Sequence, residues 1–261
     1  MKDLCVAVLA FEKPEFLYVT LDSIFRNKRI DEVEVNVYID GGSTKLQEVK
    51  EVISEFNVDK VTSRIGNIKN FWSTVLALRD VFNNGYSKCL FMEDDHIIRT
   101  DTIDWCLNND SKETLVSLSG DGSPSRSYRP RGCMISKEEF EKFDKNWVLP
   151  MLWVGTERQG VPIENYQILT YCECAFDNVM YGYLYYNNLL MDYAQKYYTA
   201  HFGIVGVNSV INDNESMDMY NKMFSGDKKN WVDNISNIIT VGDYSDRFRL
   251  NLWYKKVFIY E

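Results

Sequence analysis

Lys88-Cys89-Leu90-Phe91-Met92, followed without a break by Glu93-Asp94-Asp95-His96, is the stretch on which the reading of this chain turns. Its first half is an apolar run of strand character, and its second half sets three carboxylates and an imidazole at the carboxyl end of that strand. Packing alone would not select so much mutual repulsion, whereas a divalent cation would relieve it. A solvated acidic turn has the same composition, so the loops expected beside this one must be read together with it.

Upstream, Leu4 to Phe11 is a continuous apolar run, as expected of a strand buried on both faces. Pro14 then opens a segment in which Phe16, Leu17, Leu21, Ile24 and Phe25 recur at helical spacing. Val33 to Ile39 alternates as a second strand ending in Asp40-Gly41-Gly42-Ser43, and Leu46, Val49, Val52, Ile53 and Phe56 mark a second helix. Lys60-Val61-Thr62 reads as a short third strand and Gly66-Asn67 as a turn. Ile68, Phe71, Trp72, Val75, Leu76 and Phe82 form a third helix closing near Asn84-Gly85. The acidic stretch ends the fourth strand. This alternation predicts an α/β fold with a mostly parallel, Rossmann-like sheet covered by helices on both faces, whose ligands collect at the carboxyl ends of the strands. Glu12-Lys13, Asp40-Gly41-Gly42, Arg64-Ile65-Gly66-Asn67 and Glu93-Asp94-Asp95 should therefore share one edge.

Downstream the pattern is less regular. Thr114 to Ser119 reads as a further strand, Lys137 to Phe143 and Ala175 to Met191 as helices, and Tyr197 to Val207 as strand-like with Gly203 and Gly206 interrupting it. Trp147 to Cys174 carries no clear period. Gly120 to Arg131, rich in Gly, Ser and Pro, carries Arg126, Arg129 and Arg131. It has the make-up of a lid ordering over a diphosphate, or of a plain surface loop. Arg247 to Tyr260 interleaves basic and aromatic side chains that are expected to pack onto the core. No repeat, low-complexity tract or linker divides the chain, so residues 1–261 are expected to form one domain.

A formal charge of −9 over 261 residues excludes the overall basic footprint that attracts nucleic acid or an anionic membrane, so an anionic ligand must be held locally. No window reaches the ~18 uninterrupted apolar residues of a membrane span, and no signal-peptide core follows Met1. The expectation is a soluble, cytoplasmic protein. Its six cysteines are scattered, with no CxxC pair, and read as reduced thiols acting as small hydrophobes.

Strand-end carboxylates without a Walker loop suit a magnesium or manganese diphosphate, in which the metal neutralises charge on a leaving phosphate. Here the N-terminal half resembles the GT-A glycosyltransferases, and most closely the branch typified by N-acetylglucosaminyltransferase I. Val6 to Leu17 with Thr20-Leu21-Asp22-Ser23-Ile24 is similar to that family's opening strand, proline turn and helix, and Val37 to Gly42 to its second strand with an Asp-Gly end. Arg64-Ile65-Gly66-Asn67 fits its donor loop, and Glu93-Asp94-Asp95 stands at its metal-binding acidic triplet. The resemblance covers roughly residues 4 to 143, and continues more weakly to about residue 207.

The resemblance implies that Asp95 coordinates the metal, usually Mn2+ with Mg2+ as the alternative, that Asp94 faces the donor ribose or sugar, and that Glu93 contacts the sugar region. It implies that Asp40 binds the base or ribose, while Arg64, Gly66 and Asn67 line the donor loop and Lys13 meets the phosphates. Asp40 reads equally as a turn former before glycines. His201 falls where some of these enzymes supply a histidine ligand. His96 should point away from Asp95 if strand geometry persists past the acids. Phe176-Asp177 lies where the family has an aromatic residue before its catalytic aspartate, so Asp177 is the candidate base; it is also a plausible N-cap for a helix starting at Asn178. Glu173, Glu164 and Asp121 stand in reserve. Residues 1–119 would then be the nucleotide-sugar half and 120–261 the acceptor-side half with its tail.

The expected activity is transfer of a sugar from a nucleotide donor, a UDP-sugar by family analogy, to a glycan or other acceptor hydroxyl with inversion. A nucleotidyltransferase would carry a glycine-rich basic loop where this chain has Phe11-Glu12-Lys13-Pro14. The remaining alternatives are a non-catalytic carbohydrate-binding module of the same fold and a glycosyltransferase acting on a modified nucleic-acid base, which the net charge disfavours.

Overall fold

The computed structural model describes residues 3–109, 115–118, 132–148, 176–194, 198–202 and 214–241. Four parallel strands set the frame. They are β1 (Leu4–Ala10), β2 (Glu34–Ile39), β3 (Lys60–Ser63) and β4 (Lys88–Glu93). The helices between them are α1 (Pro14–Phe25), α2 (Leu46–Ser54) and α3 (Lys69–Asn83). Pro14 occupies the first turn of α1, where its missing N–H costs no intrahelical bond. Beyond β4 come β5 (His96–Ile98), α4 (Thr102–Asn108), β6 (Leu115–Ser117), β7 (Cys133–Ser136) and α5 (Lys137–Phe143). The last described elements are α6 (Phe176–Tyr186), β8 (Asp192–Tyr193), β9 (Thr199–His201), α7 (Asn214–Met223) and α8 (Trp231–Val241).

Seven strands join in the order β3-β2-β1-β4-β7-β6-β8, with β7 running against the rest. The mostly parallel sheet expected from the alternating pattern is therefore present. β5, β7 and α4 were not anticipated; the two strands are only three and four residues long, too short for a period to show. All seven residues of β1 are buried, because the sheet is covered on both sides. Leu4, Val6 and Val8 meet Leu17 and Leu21 of α1, Val49 of α2 and Ile103 of α4. On the other face, Cys5, Ala7 and Leu9 meet Phe71 and Val75 of α3, Phe143 of α5 and Phe176 of α6.

The chain visits β2 on one side of β1 and β4 on the other, so the strand order reverses at the β1–β4 pair. Such a reversal opens a crevice beyond the carboxyl ends of the two strands. A third apolar cluster closes one side of it: Phe16 and Val19 of α1, Ile97 of β5, Ala200 of β9, Phe202, and Met223, Val232 and Ile235 of α7 and α8. α1 is thus buried both toward the sheet and away from it. The Phe16 and Phe202 rings stack at 5.4 Å with their planes 6° apart, which pins the end of β9 against α1.

Phe202→Ala is expected to lower stability by about 3 kcal/mol, as for other large-to-small changes at fully buried aromatic sites. Leu76→Ala, at a position 41% exposed, should cost less than about 1 kcal/mol. Urea midpoints at unchanged m-values would measure both.

Candidate metal centre at the carboxyl ends of the strands

β4 stops at Glu93, and Asp94-Asp95 form a two-residue turn into β5. Because the strand breaks there, the alternation of side chains is not carried through to His96. Its ring folds back so that Nδ1 lies 3.2 Å from both the backbone N and O of Glu93 and 3.6 Å from Asp95 Oδ1. The expectation that His96 points away from the acids is therefore corrected. Glu93, Asp95 and His96 each bring a ligand atom within 4.8 Å of the others.

β5 pairs antiparallel with β9, and the register sets His96 directly opposite His201. Opposed residues share a face, so both imidazoles arrive on the same side. Their ring centroids lie 5.3 Å apart, and His201 Nε2 is 3.2 Å from Asp95 Oδ1. The other Asp95 oxygen, Oδ2, accepts a hydrogen bond from Lys13 Nζ at 2.8 Å. The Phe202 N–H donates to the Asp95 backbone oxygen at 3.0 Å and ties the end of β9 to the acidic turn.

The neighbouring acids differ in environment. Burial would raise the Asp95 pKa, but His201, Lys13 and His96 together pull it well below the usual carboxylate range. Asp94 is pushed up to about 7, first by burial and then by the Asp95 charge, against opposing help from Lys13 and the Phe11 N–H. Its Oδ2 accepts the Phe11 N–H at 3.0 Å and its backbone oxygen accepts from the Thr20 hydroxyl at 2.9 Å, so Asp94 joins the end of β1 and α1 to the acidic turn. Glu93 accepts from the Asn70 amide nitrogen at 2.6 Å.

The other loops expected on this edge gather there. Asp40 is buried, and its Oδ1 accepts from the N–H groups of Gly41 and Ile68 at 3.0 and 3.1 Å, clasping the loop after β2 to the start of α3. A Cβ at Gly41 would lie 2.5 Å from the Gly66 nitrogen, so the two loops touch through bare backbone. Gly66 itself has open space beside it. Asn67 Oδ1 accepts from the Lys69 N–H at 2.9 Å. Arg64 donates to the Ser73 hydroxyl and carbonyl at 3.0 and 3.2 Å, and burial lowers its pKa.

Asp177 is the second residue of α6, which begins at Phe176, so the aspartate sits inside the first turn and not at the N-cap. Its side chain lies outside the described set, as do Glu164, Glu173, Asp121, Cys172, Cys174, the arginines at 126, 129 and 131, the glycines at 203 and 206, and the tail. Sequence reasoning missed Asn70 and Thr20 and underrated His96. For His96 the signal was available, since two adjacent acids favour a turn; Asn70 and Thr20 act through tertiary hydrogen bonds that leave no trace in local spacing.

Glu93, Asp95 and His96 form a donor set that fits a divalent metal ion, His201 stands beside Asp95, and the Lys13 ammonium is already there to offset negative charge.

No known protein family matches the sequence, and no curated protein does. Solved structures do match. S. aureus TarS aligns over 96% of this chain and 50% of its own length, at 15% identity and a TM-score of 0.51. S. aureus TarS 1–349 in complex with UDP-GlcNAc aligns over 92% of this chain and 81% of its own, at 14% identity and a TM-score of 0.50. The chain thus spans half the length of the full TarS chain and shares its fold, which is GT-A-like.

In EDTA, stability should fall as pH rises from about 4 to about 7, because folded Asp94 keeps a proton that the unfolded chain has already released. Above about 7 the penalty is complete and adds no further slope. Asp95, held low, works oppositely and loses its contribution only on acidification below the ordinary carboxylate range. Asp94→Asn, which keeps an acceptor for the Phe11 N–H, should flatten the decline between pH 4 and 7 in urea titrations.

Proposed function

We propose that this chain is a metal-dependent glycosyltransferase that moves a sugar from a nucleoside diphosphate donor to an acceptor hydroxyl. The observation that carries the reading is the convergence of Lys13, Glu93, Asp95, His96 and His201 in the β1–β4 crevice, beside the glycine-backed loops of Asp40 and Gly66. TarS 1–349, whose fold this chain shares, was solved with UDP-GlcNAc, which supports a UDP-sugar as the donor. The resemblance of the N-terminal half to N-acetylglucosaminyltransferase I supports an N-acetylhexosaminyl or hexosyl group.

Asp95 is the central metal ligand, with His201, His96 and Glu93 as the remaining donors. Mn2+ or Mg2+, when bound, supplies positive charge to the diphosphate as it departs. With a cation held on the Asp95 carboxylate, the Lys13 ammonium that now binds Asp95 Oδ2 would be at hand for a phosphate oxygen. Asp40 orients the nucleoside, held by its two backbone N–H donors. Gly66 and Asn67 line the base pocket, and Arg64, braced on Ser73, holds the loop before them. Asp94 braces the acidic turn against β1. Asp177, one residue into α6, takes the proton of the acceptor hydroxyl as it attacks the anomeric carbon from the face opposite the leaving group, which gives inversion. Among the described residues no helix is long and apolar enough to cross a membrane.

UDP-sugars with Mn2+ are expected to raise the melting temperature by roughly 5 to 10 °C at about a hundredfold excess over Kd. Asp95→Asn should remove the metal-dependent part of that shift while the protein stays folded. An unchanged shift would overturn the role of Asp95, and slow Mn2+-dependent hydrolysis of a UDP-sugar would separate an enzyme from a binder.

The imidazoles give a second expectation. His96→Ala and His201→Ala should each weaken Mn2+ and Co2+ more than Mg2+, about tenfold or more against a few-fold, because nitrogen ligands favour the former ions. Isothermal titration of each variant with the three metals would measure the difference.

A further inference from the structure

Asn70 stands between two parts of the site. Its side-chain amide has a donor end and an acceptor end, and each is used on a different element. Nδ2 donates to Glu93 Oε1 at 2.6 Å, at the tip of β4. Oδ1 accepts from the Phe176 N–H at 3.2 Å, at the first residue of α6. That N–H belongs to the first turn of α6, where backbone donors have no partner within the helix, so Asn70 caps α6 from outside. Asn70 is itself fixed in the first turn of α3, where its carbonyl accepts from the Thr74 hydroxyl at 2.8 Å.

Packing reinforces the link. The Phe176 ring lies 6.2 Å from Phe71, 6.1 Å from Phe91 and 5.8 Å from Phe143, so the start of α6 is seated on the same sheet face that β4 crosses. These rings hold the helix end but are indifferent to what happens at Glu93. The amide is not, since its hydrogen bond to a carboxylate depends on where that carboxylate points.

We propose that Asn70 is a positioning residue that registers the start of α6 against the acidic tip of β4, so that ordering Glu93 at the metal centre also orders the turn that carries Asp177. This deepens the reading above and rests on it. A fixed relation between cation and base matters because displacements of about 1 Å in reacting geometry cost on the order of a hundredfold in rate. The polarity of the amide makes the role specific: a side chain with donors alone or acceptors alone serves only one partner.

The test is hydrogen exchange, read by mass spectrometry on the full chain with and without Mn2+ and UDP, with metal binding followed in parallel by Mn2+ electron paramagnetic resonance. In the unaltered protein, Mn2+ with UDP should slow exchange of the amides from Phe176 to Met180 by about two- to tenfold, the range that one neutral hydrogen bond such as Phe176 N–H to Asn70 Oδ1 supports. Asn70→Ala should abolish that metal-dependent slowing while retaining Mn2+ binding. If Asn70 were only a structural cap, Asn70→Ala would speed exchange with and without metal alike and leave the metal-dependent difference intact, which would overturn the proposal. Should the variant fail to fold, the unaltered protein decides: bound Mn2+ without slower exchange at the start of α6 also overturns it. Absence of Mn2+ binding in the unaltered protein would sink the metal reading and this inference with it, whereas binding without the slowing sinks this inference alone.

Discussion

Asp95, with 5% of its surface exposed, is the buried carboxylate on which polar side chains from three elements converge. Lys13 comes from the turn after β1, His96 from β5 and His201 from β9. A buried carboxylate without partners is costly to keep ionised, and these contacts hold the turn that carries Asp95 in the crevice. The rest of the architecture delivers those side chains. The strand reversal at β1–β4 opens the crevice, the β5–β9 ladder sets both imidazoles on one face, and the third apolar cluster holds that ladder against α1.

The adjacent Asp94 shows how one turn can hold two acids with opposite tasks. Its carboxyl is turned inward to the Phe11 N–H, and burial together with the Asp95 charge raises its pKa, so it serves as a brace between strands. Asp95 is the acid kept charged. The division arises because consecutive residues in a tight turn project into different surroundings: one meets the Phe11 N–H, the other the Lys13 ammonium and two imidazoles. The acidic cluster and its scaffold are therefore built from the same few residues.

A chain of polar contacts runs outward from this point. Glu93 passes through Asn70 to the first turn of α6, and Asp40 ties the loop after β2 to the start of α3. Both links join a strand end to the first turn of a helix, where backbone N–H groups lack intrahelical partners and side-chain oxygens can satisfy them. The loop after β2, the start of α3 and the start of α6 are in this way fastened to the same sheet edge.

The alternation of apolar strands and amphipathic helices from Leu4 to Met92, and the acids that follow, sufficed to predict a mostly parallel sheet and the edge on which its polar loops gather. Those features depend on periods of two and 3.6 residues and on charge density, which are local properties of a chain. What spacing could not supply was the company kept by individual side chains. That His96 folds back beside Asp95 follows from a turn that breaks strand alternation, and that His201 faces it follows from a strand register between segments far apart in sequence. Asn70 owes its two partners to the meeting of α3, β4 and α6. Local pattern determined the layers and their polarity; only the tertiary structure decided which charges meet, because contact between distant residues is set by register and packing, which no short window of sequence contains.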